Sequence, residues 1–126
     1  LKIEALTMLE MVVKEIVPSA INYIKHLSEC INEHKNACPG VDRSVMENLL
    51  EKLSGILKGI DDETIELREI LNTAPTKKKR DEIGVYCKDK LIPAMNRLRK
   101  AVDRAESNVA EEYWPYPSNS KLLYSV

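Results

Sequence analysis

The sequence contains no Phe, one Trp and only four Gly in 126 residues. That scarcity argues against a turn-rich β fold, which draws on aromatic strand residues and glycine turns. Cysteine is scarce and odd in number: Cys30, Cys38 and Cys87 make no disulfide framework and point to a reducing cytoplasm. Neither sign of charge is in excess, since 19 basic residues stand against 20 acidic ones. A net charge of -1 implies no general attraction to nucleic acid or to a membrane surface. No apolar run approaches the roughly 18 residues that a membrane span needs. No signal peptide is visible. There is also no initiator Met, and Leu1 opens straight into an amphipathic pattern. The chain is therefore expected to be a fragment of a longer protein.

What the sequence does have is charge, at 31%, laid over long helical periodicities. The length suits one domain. A first helix is expected over about 1–36. Val13, Val17, Ala20, Ile24, Leu27 and Ile31 form its stripe, widened by Ile3, Leu6, Leu9, Val12 and Ile16. Pro18 interrupts that pattern, so a kink or short break is expected there. Cys38-Pro39-Gly40 ends the helix. Ser44 and Glu47 have the spacing of a capping box for a second helix over 44–72. Its seam is Met46, Leu49, Leu53, Ile56, Ile60, Leu67 and Ile70, with Glu63 marking a wet or bent spot. Gly55 and Gly59 weaken this helix, and Asp61 or Asp62 is available to cap a new start, which leaves a break near Gly59 open.

Thr76 is the expected cap of a third helix over about 77–112. Ile83, Cys87, Leu91, Ala94, Leu98, Ala101, Ala105 and Val109 form its stripe, broadened by Val85, Ile92, Met95 and Val102. Pro93 interrupts it as Pro18 interrupts the first. KEIVPSAINYI and DKLIPAMNRLR share an apolar-apolar-Pro-small pattern, and each proline lies equally far from the expected start of its helix. Short connections imply antiparallel neighbours. The expected fold is all-α: an antiparallel up-down-up three-helix bundle of long, proline-kinked helices, with an aromatic tail over 113–126.

Candidate chemistry is thin. His26, Cys30, His34 and Cys38 have the residue types of a zinc site. Each four-residue step drifts about 40° around a helix, so the last residue lies about 120° and about 18 Å from the first, too far for one ion to collect all four. The ladder reads as surface or semi-buried helix, and no metal ligands are assigned; a pair completed from outside is a weaker reading. Lys77-Lys78-Lys79-Arg80 reads as a solvated first turn beside Asp81 and Glu82 rather than as a nucleic-acid patch. Cys87 lies on the core stripe and reads as an inert thiol rather than a nucleophile. Asp61-Asp62 and Glu111-Glu112 read as solvated charge. There is no Gly-rich phosphate loop, GxSxG or HExxH. No catalytic or cofactor-binding residue is assigned.

The tail is the least ordinary stretch. Pro115 and Pro117 stop the helix, and Trp114, Tyr116, Leu122, Leu123 and Tyr124 form an apolar cluster. Two readings stand together: the cluster folds back on its own bundle, or it docks on another domain or subunit, where Trp and Tyr are favoured anchors.

Two stretches resemble the C-terminal region of type III glutamine synthetases, the large-subunit bacterial class. IEALTMLEMVVKEIVPSAINYIKHL is similar to the family's helix leaving the catalytic core, with its Ile/Val-Pro-small step. YCKDKLIPAMNRLRKAVDRAESNVAEEYWPYPSNSKLLYSV is similar to the family's closing helix and Trp-Pro-x-Pro tail. Ser118-Asn119-Ser120 depart from the Tyr-Gly pair common after the second Pro, and Tyr124 stands for a terminal Phe. The resemblance implies a cytoplasmic parent that joins ammonia to glutamate using ATP and divalent metal (Mg or Mn), assembled as a double-ringed homo-oligomer. The implied catalytic residues would precede Leu1, and this fragment would carry no cofactor. Its implied partners are the upstream catalytic domain and other copies of the subunit. The competing reading, from a different class, is a stand-alone helical interaction module whose tail binds a partner protein.

Overall fold

Proline has no N–H to donate, and its ring collides with the carbonyl four residues back. This chain meets that conflict twice and answers it in one way. In a computed structural model, which describes residues 1–74 and 80–117, the first helical span runs through α1 (Lys2–Met11), a π-helical turn (Val12–Ile16) and α2 (Val17–Ala37). The third span repeats the order with α4 (Arg80–Tyr86), a π-helical turn (Cys87–Leu91) and α5 (Ile92–Asn108). In each, the proline is the second residue after the π turn. Val17 N–H donates five residues back to the carbonyl of Val12, and Ile92 N–H does the same to Cys87. Ile16 and Leu91 share the torsions φ -72 and ψ -51. A widened turn thus carries the helix past a residue that cannot keep the ordinary ladder.

Between these spans lies α3 (Ser44–Asn72), unbroken through Gly55 and Gly59. The break left open near Gly59 does not occur. A Cβ at either glycine would meet nothing within 4 Å, so both sit on an open face. Among the described residues there is no strand.

α3 is the central element and packs against both neighbours. Tyr86 donates its hydroxyl to the Ile70 carbonyl at 2.7 Å, while Arg97 reaches Glu63 at 3.4 Å and Glu66 at 2.9 Å. As numbers rise along the third span, those of their α3 partners fall. The first span shows the same order. Leu9 and Val13 share a cleft with Arg68 and Leu71, whereas Val17 and Ile24 share one with Ser54 and Leu57. Both π turns therefore flank the same part of α3.

The core of α3 is Leu53, Ile56, Ile60, Thr64, Leu67 and Leu71. Thr64 is the buried polar residue, and its hydroxyl donates to the Ile60 carbonyl at 2.8 Å, so it costs little to bury. Glu63 faces Arg97 at the edge of the core. In the first span the buried stripe is Ala5, Leu9, Val12, Ile16, Ala20 and Leu27. Val13, Ile3 and Leu6, expected on the core side, are exposed. The extra residue in the π turn shifts the stripe by one position relative to an unbroken heptad pattern.

The first connection is held by side chains that the sequence reading did not single out. Arg43 donates to the carbonyls of Cys38, Pro39 and Val41 at 3.2, 3.2 and 3.0 Å. The expected Ser44–Glu47 capping box does not form. Instead Asp42 Oδ1 accepts the Ser44 N–H at 2.9 Å, an Asx-type turn that satisfies one orphan donor of α3. This hydrogen bond, then one from the Ser44 side chain, holds the Asp42 carboxyl below its ordinary value of 3.8. The sign follows from the depressed folded value. Asp42 contributes stability above pH 3.8, and that contribution is lost as pH falls through its lower folded pKa. Comparing urea midpoints of the wild type and Asp42→Asn from neutral to acidic pH, we expect the wild-type advantage to shrink below that value. A gap independent of pH would show that the carboxylate charge contributes nothing.

The expected cap Thr76 lies outside the described residues. The third span ends at Asn108, four residues short of the expected Glu112. Ser107 Oγ and Asn108 Nδ2 bond back to the carbonyls of Asp103 and Arg104, and Val109 turns extended at φ -89 and ψ 135. The chain then makes a 3-10 turn, Glu111–Tyr113, and returns to the bundle.

Candidate interaction surface

At the returning end, Tyr113 packs its ring 5.2 Å from Tyr23 and stacks on His26 at 5.6 Å. Trp114 is 9% exposed and belongs to the core, and Tyr116 packs partly buried against it. Trp114 and Tyr116, two of the five proposed docking residues, are thus already engaged with their own bundle. Leu122, Leu123 and Tyr124 lie outside the described residues. Trp114 Nε1 and Tyr116 Oη are buried and find no hydrogen-bond partner among the described residues.

The His/Cys ladder does not close on itself. Cys30 Sγ lies 3.6 Å from His26 Nε2, but the His26 ring is taken up by Tyr113, and Cys38 is exposed beyond the end of α2. Among the described residues no group of three or more His, Cys, Asp or Glu is placed to hold a metal ion. Cys87 is half-buried in its π turn. Arg80, the last residue of the basic run, opens α4 in the open, while Lys77, Lys78 and Lys79 lie outside the described residues. Asp62 pairs with Lys58 on the surface, which raises the lysine's pKa. A polar cleft between α3 and the third span mixes Glu66, Glu69 and Asp89 with Lys90 and Arg97. Its charges are of both signs, and nothing in it pairs a nucleophile with a base.

A further concave feature among the described residues is apolar. A groove of about 430 Å³ runs between the first half of the first span and α5. Ile3, Met8 and Met11 form one wall and Val102 the other, with Glu4 and Arg99 as charged groups. Ile3 is 79% exposed, and Leu1, Leu6, Met11 and Val13 are exposed around it. On the other flank of the same helix, Leu6 and Val13 line the cleft toward Arg68. The first span therefore shows apolar side chains on both sides, and its arrangement suits binding rather than reaction chemistry. Sequence reasoning missed this surface because it assigned Ile3 and Leu6 to the core stripe.

The helix that forms the groove wall is also the part that matches a family model. Residues 1–35 match the model described as "Glutamine synthetase C-terminal domain". The full chain aligns with a glutamine synthetase of Butyrivibrio fibrisolvens at 31% identity, over 98% of this chain and 18% of that protein. The chain is thus similar to the glutamine synthetase C-terminal domain at its start and to glutamine synthetases over nearly its whole length. It also aligns with the type-3 glutamine synthetase of Dictyostelium discoideum at 20% identity and with a glutamine synthetase of Bacteroides fragilis (strain YCH46) at 23%. Each alignment covers 98% of this chain, and 17% and 18% of the two relatives respectively. The chain thus spans under a fifth of the length of the curated relatives it matches. No solved structure matches it. The regular elements among its described residues are all helical, and no helix among them is long and apolar enough to cross a membrane.

Proposed function

We propose that this chain is the non-catalytic C-terminal helical domain of a glutamine synthetase and that its role is structural, in the assembly of the parent enzyme. The parent joins ammonia to glutamate at the expense of ATP, with divalent metal, in the cytoplasm and as a homo-oligomer. The catalytic glutamates and nucleotide contacts lie in the sequence before Leu1. The domain itself is an antiparallel up-down-up bundle, closed at one end by its aromatic tail. The opposite numbering order of both α3 interfaces supports that topology. The observation that carries the functional reading is the alignment of nearly the whole chain with a small fraction of each much longer synthetase.

The test begins with size. An antibody to this chain, used on a denaturing gel of source-cell lysate, is expected to mark a band several times larger than 14.3 kDa. A band near 14.3 kDa leaves no room for a catalytic domain and favours the stand-alone interaction module. In the full-length enzyme, removal of residues 1–126 is then expected to lower the number of subunits per particle, taken from the light-scattering mass divided by the truncated subunit's mass. Ammonia-dependent phosphate release from ATP should fall with the loss of assembly. A truncated enzyme of unchanged subunit number and activity would sink the assembly role.

A further inference from the structure

The exposed apolar side chains are not spread evenly over this domain. Of the twelve large ones among the described residues, all but Ile21, Val41 and Val45 lie in one half of the bundle. That half contains the first turns of the first span, the last turns of α3 and the start of the third span, brought together by the Leu9–Leu71 cleft and the Tyr86–Ile70 hydrogen bond. Five of the nine, Leu1, Ile3, Leu6, Met11 and Val13, belong to the first three turns of the first span or to its π turn. The opposite half is closed by Tyr113, Trp114 and Tyr116. A water-facing bundle keeps large apolar groups scattered, whereas a contiguous set around one helix marks a covered surface.

We infer that the groove between α1 and α5, walled by Ile3, Met8, Met11 and Val102, is the seat of the parent polypeptide that precedes Leu1, folded as the neighbouring domain of the same subunit. This rests on the reading of the chain as a synthetase C-terminal domain. Three observations select that occupant over a second copy. Most of each relative's length lies outside the aligned region. The apolar set is centred on the helix by which the chain enters this domain, so a preceding domain needs no long linker to reach it. The same helix, residues 1–35, is the part the family model matches. Burying Ile3, Met11 and the groove floor against that domain removes apolar surface from water, and Glu4 and Arg99 are the polar groups available at its edge.

The experiment uses the full-length enzyme and compares two residues with almost equal exposure. Ile3 is 79% and Val45 81% exposed in this domain, and both are aliphatic. Under hydroxyl-radical footprinting read by mass spectrometry, Ile3 and Met11 are expected to label several-fold less than their exposure in this domain allows, with Val45 as the free standard. Equal labelling of Ile3 and Val45 overturns the inference. A photo-reactive benzoylphenylalanine in place of Ile3 then identifies the occupant. A cross-link within one chain, to a peptide from before Leu1, supports it. A cross-link that doubles the mass on a denaturing gel, or one to residues 118–126, overturns it in favour of a second copy or the chain's own tail. These outcomes are separable from failure of the parent reading, which the antibody band reads independently.

Discussion

Leu67→Ala is expected to destabilise the domain by about 3–5 kcal/mol, a large part of the roughly 5–15 kcal/mol that holds a folded domain together. Leu67 is fully buried on α3, the one element that packs against both other spans. It lies between Glu63 and Ile70, which contact the third span, and beside Arg68 and Leu71, which line the cleft to the first. Truncation removes a side chain from the place where three helices meet. At an m-value of about 1–3 kcal/mol/M for urea, the midpoint should move down by roughly 1–5 M, or the variant should be unfolded in water. Ile65→Ala is the matched control, because Ile65 is 54% exposed two residues away. Its cost should stay within about 1 kcal/mol. Equal losses at both positions would mean that this face assignment of α3 is wrong.

The helical reading was legible because it rests on periodicity, and periodicity survives substitution at single positions. Leu53, Ile56, Ile60 and Leu67 were read as the α3 seam and are buried there. The first span misled for a definable reason. A heptad pattern carried backward from Ala20 selects Val17 and Val13, but the π turn inserts a residue, so the chain buries Ile16 and Val12 instead. From Cys87 onward the third span escaped that error because the four-residue step to Leu91 matches its own π turn, but Ile83, Val85 and Ile92, expected on its apolar face, are exposed. The shared apolar-apolar-Pro-small pattern announced that the two interruptions were alike. It did not announce their form, since the competition between a missing donor and an intact helix is settled by neighbouring carbonyls rather than by residue type.

The caps and the surface were less legible. Asp42 accepts the Ser44 N–H in an Asx turn, the Glu47 N–H that the expected box would give to Ser44 goes to the Arg43 carbonyl, and the Arg43 guanidinium ties up the preceding carbonyls. Neither side-chain interaction has a periodic signal. The candidate surface was hidden by the same width of apolar face that made the first helix easy to see. A helix with apolar residues on several sides reads as deeply buried. In a three-helix unit only one side of it is covered, and Ile3, Leu6 and Met11 are left outside.

Trp114→Ala is expected to cost about 3–5 kcal/mol, as large an effect as any core truncation in the helices. Trp114 comes after the last regular helix, directly before Pro115, yet it is only 9% exposed. It therefore fastens the returning chain to the bundle. Tyr113 adds its contacts with Tyr23 and His26 beside it. Loss of the indole should lower the urea midpoint measured by helical circular dichroism. A wholly unchanged midpoint would mean that the tail adds no stability and that Trp114 serves another surface. Trp114→Phe separates packing from hydrogen bonding. The indole Nε1 has no partner among the described residues, and a buried donor left unpaired costs about 1–3 kcal/mol. Removing that donor should offset part of the lost area, so the Phe variant should fall by only about 1 kcal/mol. A Phe variant as unstable as the Ala variant would place an acceptor for Nε1 outside the described residues, and would make the tail's polar contacts as important to closure as its rings.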